Sequence, residues 1–485
     1  MTNSQTDLKT RARQAMLQAG FEPDFPPEVV GELQAAPTSP MVEEKQLRDM
    51  RSVPWSSIDN KESRDLDQIE FVERLADGTL RLLIGIADVD SLVAKNSATD
   101  RHAARNSTTV YTGFAIFPML PAQLSTDQTS LLNDCDRKAV IIEMHLRTSG
   151  EVFCHDVYPA LTRNHAKLTY DGAGAWLEKR GPTPPAIANV PGMDAQIQLQ
   201  RETSELLQGV RRAHGALTFG SVEATPVVEN GQVKDLVVSR HNVAADIIES
   251  FMVAANVAMA QHLKERGDLS LRRVVRTPKR WDRIQALAAQ KGGHLPDTPD
   301  PKALADFLEV RRKADPDHFP DVSLTVVKLL GPGEYIVEAA GQEHEGHFGL
   351  AVSDYSHSTA PNRRFADLVM QRLLKAIAAG AMAPYQQTEL AGIAAHCTER
   401  ENAARKVERL MRKVAACDLL RQRIGEEFEG IITGASPKGT YVRLLKLPAE
   451  GMVVRNARGA DVGDRVRVRL VSANIDKGFI DFERI

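Results

Sequence analysis

Residues 57–88 read SIDNKESRDLDQIEFVERLADGTLRLLIGIAD, an acidic loop that leads directly into the pattern of a β-hairpin. The dipeptide Asp77-Gly78 is typical of a tight hairpin turn, and apolar residues suited to strands lie on both sides of it. If these two residues are the centre of the turn, Asp67 lies opposite Asp88, whereas a bulge would shift the register by one residue. We therefore predict a two-stranded unit in which the partner strand brings a further carboxylate beside the acidic loop.

The acidic loop holds more carboxylates than an ordinary turn needs. Its acidic residues, with one more close behind, are Asp59, Glu62, Asp65, Asp67 and Glu70. Like charges this close repel one another. The run is either a solvated acidic loop or the oxygen ligand set of a divalent cation, which would turn the repulsion into attraction. A calcium-binding loop is excluded, because the sixth position counted from Asp59 is Arg64 rather than glycine.

The composition is that of a globular protein and excludes several classes. The chain has 485 residues, of which 42% are hydrophobic and 26% charged, with a net charge of −3. It is long enough for two to four domains. None of its four cysteines forms a CxxC pair, which argues against a zinc ribbon or a disulfide framework. The start of the chain has no apolar signal segment and no run of apolar residues reaches membrane-spanning length, so we expect a cytoplasmic protein without a membrane partner.

Three regions follow from the pattern, and together they predict an α+β multidomain protein. Residues 1–50 read as a small helical module with a third helix near 42–50, either a helix-turn-helix or an arm packed on the main body. Residues 51–425 read as a mixed α/β body, with a second hairpin turning at Asn230-Gly231. Its long helices are predicted at 243–265, 363–380 and 388–424. Residues 426–485 alternate in the manner of a five-stranded OB barrel.

Two regions have the charge and aromatic pattern of a nucleic-acid surface. The helix predicted at 388–424 is strongly basic, although basic helix faces are usually just solvated. On the predicted barrel strands one aromatic residue accompanies several cations: Tyr441, Arg443, Arg465, Arg467 and Arg469. Single-strand binders combine stacking and positive charge in this way. The alternative is that residues 426–485 form an ordinary small barrel of unknown role.

Three segments in order resemble the RNase II/RNase R family of exoribonucleases, which is built on the RNB catalytic domain. SIDNKESRDLDQ at 57–68 is similar to the acidic catalytic motif of the family. VYTGFAIFPMLPAQLSTDQTSLL at 110–132 and YSHSTAPNRRFADLVMQRLLKA at 355–376 are similar to its second and third signatures. The C-terminal segment is similar to the RNA-binding barrel of the family. The resemblance covers residues 52–485 and assigns 51–425 to an RNB domain and 426–485 to an OB-fold RNA-binding domain.

The resemblance implies a hydrolase, a 3′-to-5′ exoribonuclease that degrades RNA to nucleoside 5′-monophosphates. Asp59, Asp65, Asp67 and Gln68 would hold one or two divalent cations, Mg²⁺ or Mn²⁺. Asp65, Asp67 and Arg363 would carry the chemistry, with Arg363 on the scissile phosphate. Gln68 departs from the family, which usually has Asp at this fourth position. An amide brings no charge, so a second metal ion would bind more weakly.

The resemblance also implies an RNA path for a monomer that takes the 3′ end of a single strand. The residues that would line it are Tyr111, Tyr170, Phe219, Glu249, Arg363 and Arg364. Tyr111 and Phe219 have an alternative as core aromatics and Glu249 as a surface acid, and Arg363 could instead pair with Asp367 four residues on. His344 and His347 have a ligand-like spacing, but we interpret them as structural.

Two other functions remain open at the sequence level. One is an RNB protein with a weakened site that binds or regulates RNA without cleaving it, for which Gln68 is the support. The other is a metal-dependent DNA nuclease. Metal-dependent release of monophosphates from an oligoribonucleotide would separate the exoribonuclease from both.

Overall fold

A computed structural model describes residues 3–35, 47–220, 224–229, 232–238, 242–316, 318–339, 346–436, 439–460 and 462–485. The strands are β1 (Arg48–Asp49), β2 (Trp55–Asp59), β3 (Gln68–Arg74), β4 (Leu80–Ala87), β5 (Val110–Tyr111), β6 (Ile116–Phe117), β7 (Asp136–Leu146), β8 (Val152–Thr169), β9 (Ala224–Glu229), β10 (Gln232–Val238), β11 (Ser270–Val274), β12 (Glu334–Glu338), β13 (Glu427–Ser436), β14 (Gly439–Leu444), β15 (Glu450–Arg455), β16 (Arg465–Asn474) and β17 (Phe479–Arg484). The helices are α1 (Asn3–Gln18), α2 (Pro27–Ala35), α3 (Ala98–Asn106), α4 (Tyr170–Leu177), α5 (Pro185–Ala188), α6 (Met193–Ala213), α7 (Val243–Glu265), α8 (Trp281–Gln290), α9 (Pro301–Ala314), α10 (Phe319–Leu330), α11 (Phe365–Ala378) and α12 (Gln387–Leu420). The α+β class predicted from the sequence is confirmed.

A six-stranded sheet lies at the centre of the main body, in the order β1-β8-β2-β3-β4-β7. The long strand β8 pairs with β2 and also with β7, so the sheet closes on itself. Its strands are rich in Val, Ile and Leu because they are covered on both faces, and Leu82, Ile84 and Ile142 are fully buried. This covered sheet is the rigid base on which the acidic loop between β2 and β3 is mounted.

The hairpin of β3 and β4 forms, but the predicted register is wrong by one residue. The turn is a three-residue loop with Gly78 at a φ of +84°. The Leu75 amide donates to the Thr79 carbonyl oxygen at 2.8 Å, and the Gly78 amide donates to the Leu75 carbonyl oxygen at 2.9 Å. Asp67 therefore lies opposite Ala87, whose amide donates to the Asp67 carbonyl oxygen. Asp88 is diverted from the acidic loop and forms an ion pair with Lys375. The extra loop residue is the bulge that a glycine at positive φ allows.

Helices pack around the sheet and close its core. The predicted helices at 243–265, 363–380 and 388–424 correspond to α7, α11 and α12. By length and composition, α7 is the described helix that could cross a membrane, but most of its apolar stretch is buried in the main core. The second predicted hairpin is formed by β9 and β10, and its turn at 230–231 lies outside the described residues. Helices α8, α9 and α10 build a separate small core around Trp281 and Phe307.

The N-terminal helices pack on the main body, as the arm alternative predicts. Leu8, Ala12 and Met16 on α1 are buried against the face of α12 that carries Val407 and Met411. The third helix predicted near 42–50 is wrong where it is described, because Arg48–Asp49 is strand β1 beside β8. Residues 42–46 of that prediction lie outside the described residues.

The C-terminal strands form the closed five-stranded barrel that the sequence predicts, in the order β13-β14-β15-β17-β16. Its interior, which includes Ile432, Val442 and Phe482, is continuous with Ala416 and Leu420 at the end of α12. The barrel is therefore seated on α12 through a shared apolar core.

Candidate active site

The acidic loop is held in place by the second of the three signature segments. Strand β2 ends at Asp59 and β3 begins at Gln68, so the loop spans the opening between two neighbouring strands. Ser130 Oγ accepts from the Leu66 amide at 3.0 Å and donates to the Arg64 carbonyl oxygen at 2.6 Å. Asp59 accepts from Ser63 Oγ at 2.7 Å. These contacts fix where the loop carboxylates point.

Asp67 is the most buried carboxylate of the loop, with 2% of its surface exposed. Its Oδ2 accepts from Nε of Arg363 at 3.1 Å, and its Oδ1 accepts from the amide of Asn362 at 3.3 Å. Burial raises the pKa of Asp67 to about 7; the positive charge of Arg363 opposes this rise and the negative charge of Asp65 adds to it. The first and third signature segments, almost 300 residues apart, thus meet at one ion pair.

Asp65 and Tyr111 are joined by a hydrogen bond, and the charge of Arg363 acts on both of them. Burial raises the pKa of Asp65, and a hydrogen bond from the Tyr111 hydroxyl acts in the opposite direction. The ring of Tyr111 is 42% exposed, which leaves it available for stacking. Its backbone amide donates to Glu408 of α12 at 3.1 Å. Sequence reasoning missed Glu408, because nothing in the periodicity of α12 marks it as a partner of β5.

Arg363 and Arg364 are adjacent in sequence but do different work. The side chain of Arg363 is 44% exposed and reaches Asp67, not Asp367. Arg364 makes the ion pair that was considered for its neighbour, donating from Nη2 to Asp367 at 2.7 Å. Asp367 is fully buried, so Arg364 is fixed as an internal counter-ion. The backbone oxygen of Arg363 accepts from the amide of Thr109 at 3.0 Å, which anchors it beside β5.

Tyr170 is also brought to the acidic loop. It is the first residue of α4, whose N-cap Thr169 ends the long strand β8. Burial raises the pKa of Tyr170, and the charges of Asp59 and Glu70 add to this rise. The hydroxyl therefore lies within electrostatic range of these two carboxylates.

Phe219 and Glu249 lie outside the acidic loop, in other parts of the main body. Phe219 packs against the small core of α8, α9 and α10. Glu249 on α7 is 55% exposed and lies 3.6 Å from a guanidinium nitrogen of Arg211 on α6. Among the described residues, no hydrogen bond or ion pair joins either side chain to Asp67 or Arg363, so their RNA-binding roles stay predictions.

The carboxylates suit a hard divalent cation but do not enclose one. Among the described residues, no three Asp, Glu, His or Cys side chains converge closely enough to hold one ion. Even so, Asp59, Asp65 and Asp67 lie close enough to disturb one another: Asp59 raises the pKa of Asp65, and Asp65 raises that of Asp67. Excess negative charge on oxygen donors is what Mg²⁺ or Mn²⁺ relieves, with water or phosphate completing the shell. The residues therefore fit such an ion.

A cavity of about 280 Å³ adjoins this centre, lined in part by Tyr111, Arg363, Tyr335 and His357. The Tyr335 hydroxyl and Nδ1 of His357 are 2.7 Å apart, and burial lowers the pKa of His357 well below its ordinary value. A neutral imidazole is thus part of the wall.

His347 has the structural role predicted for it, since its Nδ1 accepts from the Leu350 amide at 3.1 Å. His344 lies outside the described residues.

The sequence of the chain was compared with protein families and with known proteins, and both comparisons point to one family. Residues 47–380 match the RNB domain, and residues 426–485 match the RNase II-type exonuclease C-terminal S1 domain. Ribonuclease R 1 of Lactococcus lactis subsp. lactis (strain IL1403) is 28% identical over 492 residues, which cover 95% of the chain and 59% of that relative. Ribonuclease R of Escherichia coli (strain K12) is 27% identical over 474 residues, which cover 90% of the chain and 57% of that relative.

The chain thus spans slightly less than three fifths of the length of these two relatives. The fold is also that of a solved structure, Mycoplasma genitalium RNase R in complex with ribose methylated single-stranded RNA. The two superpose with a TM-score of 0.86 at 23% identity, covering 99% of this chain and 78% of that one. With the RNB domain over most of its length and the S1 barrel behind it, the chain belongs to the RNase II/RNase R family.

Proposed function

We propose that this protein is a hydrolytic 3′-to-5′ exoribonuclease that releases nucleoside 5′-monophosphates from single-stranded RNA. One observation carries the proposal: buried Asp67 accepts a hydrogen bond from Arg363 at 3.1 Å, which brings the acidic motif together with the arginine that would bind the phosphate. A charge-bearing pair of this kind is costly to bury and is typical of a functional site. The acidic loop and the Arg363 loop are both fixed by backbone hydrogen bonds, which supports a preorganised centre.

Asp59, Asp65, Asp67 and Gln68 are the residues that would hold one or two Mg²⁺ or Mn²⁺ ions. When bound, such an ion activates water and stabilises the charge that grows on the leaving 3′ oxygen. Arg363 would release Asp67 and turn to the scissile phosphate, whose two oxygens match a guanidinium fork. In the absence of RNA, the same arginine neutralises part of the charge of Asp67.

The RNA would enter as a single strand with its 3′ end at Asp67. Tyr111 is a partly exposed aromatic residue beside the acids, and the charge of Asp59 acts on Tyr170. Stacking on such rings tolerates every base. Phe219 and Glu249 complete the proposed RNA-binding set, in which Glu249 would recognise a 2′-hydroxyl group. Arg364 would belong to it through the part of its side chain that lines the cavity, while its ion pair with Asp367 holds it in place. We place this activity in a monomeric cytoplasmic protein without a membrane partner.

We propose a separate role for each of the three regions of the sequence. Residues 1–50 would form the helical module, 51–425 the RNB catalytic domain and 426–485 the RNA-binding barrel. The barrel offers Tyr441, which is 37% exposed, but Arg467 and Arg469 are already paired with Glu427. Stacking is therefore expected to contribute more to its RNA binding than these two charges do.

A second candidate function is a catalytically weakened RNB protein that binds RNA without cleaving it. It is favoured by Gln68, which lacks the usual charge, and by the lack of three converging metal-ligating side chains in the described ranges. The fully formed contact of Asp67 with Arg363 favours the enzyme.

Replacement of one carboxylate separates the two functions. Asp67→Asn should abolish hydrolysis of a labelled oligoribonucleotide in Mg²⁺ while RNA affinity stays within a few-fold, because affinity rests on stacking and phosphate contacts. Glu62→Gln, an exposed change in the same loop, is the matched control and should keep full activity. If purified Asp67→Asn cleaves as fast as the wild type, Asp67 is not at the centre of the chemistry.

A further inference from the structure

Thr129 is a buried polar residue outside the proposed set of catalytic and RNA-binding residues. It directly follows a short π-helical turn (Leu124–Gln128) in the second signature segment, and 3% of its surface is exposed. Its amide donates to the Leu124 carbonyl oxygen at 3.0 Å and closes the turn. The turn is therefore satisfied without the Thr129 hydroxyl, which is free to serve another group. Such π-helical turns are rare and often lie at functional sites.

The hydroxyl of Thr129 holds the side chain of Asn362, the residue directly before Arg363. The hydroxyl donates to Oδ1 of Asn362 at 2.6 Å, and 1% of the surface of Asn362 is exposed. Within the described ranges, Nδ2 of Asn362 has no hydrogen-bond partner. The orientation of this buried side chain thus depends on Thr129, because a buried amide group left without any hydrogen bond is costly.

Asn362 in turn contacts Asp67 through its backbone. Its amide donates to Oδ1 of Asp67 at 3.3 Å, while Arg363 holds Oδ2 at 3.1 Å. In the proposed mechanism Arg363 turns from Asp67 to the scissile phosphate, whereas the Asn362 amide stays on the carboxylate. The position of Asn362 therefore sets both the direction of the Asp67 carboxylate and the point from which the Arg363 side chain extends.

Thr129 and Ser130 together hold the two loops that meet at the ion pair. Ser130 Oγ binds the backbone of the acidic loop at 3.0 and 2.6 Å. Its neighbour Thr129 binds Asn362 in the other loop at 2.6 Å. Because these two residues are adjacent, one short segment fixes the separation between the loop of Asp67 and the loop of Arg363.

We propose that Thr129 is a positioning residue for the proposed reaction: through Asn362 it sets where Asp67 and Arg363 stand relative to each other when the scissile phosphate is bound. This rests on the proposed function and deepens it. A misplacement of about 1 Å at a reacting centre costs roughly a hundredfold in rate. Loss of this one hydrogen bond should therefore lower the rate of cleavage more than the affinity for RNA.

Single-turnover hydrolysis of a labelled oligoribonucleotide in Mg²⁺, with RNA affinity measured separately in EDTA, tests this. Thr129→Val keeps the shape of the side chain and should slow hydrolysis about tenfold, while affinity stays within about twofold because it rests on stacking and phosphate contacts. Thr129→Ser keeps the hydroxyl and should recover most of the rate. Thr203→Val is the matched control: the buried Thr203 hydroxyl donates to the Leu199 carbonyl oxygen within α6 at 2.8 Å, and its loss should leave the rate unchanged.

Asn362→Leu is a second test that does not depend on the folding of Thr129→Val. It removes the amide group, and the Thr129 hydroxyl can still donate to the Leu124 carbonyl oxygen at 2.9 Å, so no buried polar group is left without a partner. The rate should again fall about tenfold. The double variant should be no slower than the slower single variant, because both changes remove the same hydrogen bond.

Wild-type rates in folded Thr129→Val and Asn362→Leu would overturn the inference and identify Thr129 as a packing residue. Rate losses that multiply in the double variant, or an equal loss in Thr203→Val, would also overturn it. A wild type that releases no monophosphates in Mg²⁺ would instead contradict the proposed function itself, and this inference with it. The two failures are therefore distinguishable.

Discussion

At the scale of single residues, the chemistry depends on how Asp67 is held. The surrounding core removes water from this carboxylate, while Arg363 gives it one cationic partner. Burial prevails over the ion pair, since the pKa of Asp67 is raised to about 7. A cation bound beside Asp67 would favour the charged carboxylate and so lower this raised pKa.

This raised pKa has a consequence for stability against pH. A carboxyl group whose pKa is about 7 in the folded state and about 4 in the unfolded state binds protons more tightly when folded. Its contribution to the free energy of unfolding is therefore present at pH 4 and is lost as the pH rises toward 7. Without metal, Asp67→Asn should equal the wild type in stability near pH 4 and exceed it by a few kcal/mol at most at pH 8, at roughly 1.4 kcal/mol per pH unit. Urea unfolding at both pH values measures this, and an equal difference at both would show that Asp67 titrates normally.

The two adjacent arginines form a matched pair for mutation. Arg363→Ala should slow hydrolysis by about 3 kcal/mol, roughly a hundredfold or more. Its cost in stability should be small, because the Arg363 side chain is partly exposed and Asp67, whose pKa is already raised to about 7, can take up a proton when its partner is lost. Arg364→Met should instead lower the free energy of unfolding by about 3–5 kcal/mol, because it leaves Asp367 buried without its partner. Single-turnover cleavage and urea unfolding of both variants measure the two effects. The assignment is wrong if Arg363→Ala destabilises the fold while turnover is preserved.

Much of the centre could be predicted from the sequence, because its residues lie in short motifs. The acidic loop and the Arg363 segment were both recognisable, and the structure joins them. Which arginine pairs with Asp367 was not predictable, because positions three and four residues away are both neighbours on a helix. Nor could Glu70 be distinguished from a surface acid, since its burial depends on α6, more than a hundred residues away.

At the scale of elements, the hairpin of β3 and β4 shows what a turn dipeptide does and does not determine. Asp77-Gly78 marked the turn correctly, but loops of two and three residues both suit it. The three-residue loop sets Asp67 opposite Ala87 and sends Asp88 to Lys375. The predicted third N-terminal helix also depended on long-range pairing that the local sequence does not show. Pairing with β8 outweighs the helical preference of Arg48–Asp49.

Two glycine-to-alanine substitutions test the backbone conformation of this turn. Gly78 has a φ of +84° and open space around an added Cβ, so Gly78→Ala should cost about 1–2 kcal/mol through backbone strain alone. Gly392 lies inside α12 with similar open space and an ordinary φ, so Gly392→Ala should stabilise by about 0.5–1 kcal/mol. Thermal unfolding of both variants measures this. If both substitutions change the stability by the same amount and in the same direction, Gly78 does not hold the turn as described.

At the scale of the whole molecule, α12 joins parts that are far apart in sequence. Its buried face packs against α1, its Glu408 holds Tyr111, and its end is continuous with the barrel core. Some of the basic side chains of α12, which suggested an RNA surface, are engaged in contacts within the protein. Arg400 donates to the carbonyl oxygens of Ala19 and Gly20, which follow α1. Arg405 is instead paired within α12 itself, with Glu401 one turn away.

Removal of the barrel therefore affects more than RNA binding. A chain ending at residue 425 would expose Ala416, Cys417 and Leu420, which are buried against the barrel core. We expect it to bind a hydrophobic dye and to melt at a lower temperature than the full chain. Tyr441→Ala, which leaves that core intact, is the better test of the barrel in RNA binding and should weaken affinity without lowering the melting temperature. A truncated chain that melts like the full protein would show that the two cores are independent.

The most direct test of the whole account is the product formed from single-stranded RNA. A uniformly labelled oligoribonucleotide that also carries a 5′ fluorophore is incubated with the full chain in Mg²⁺, and a parallel reaction receives EDTA. Nucleoside 5′-monophosphates should appear from the first time point, while the 5′ fluorophore passes through a ladder of shortening fragments, and EDTA should stop both. Binding without cleavage, internal fragments without monophosphates, or cleavage that persists in EDTA would contradict the account.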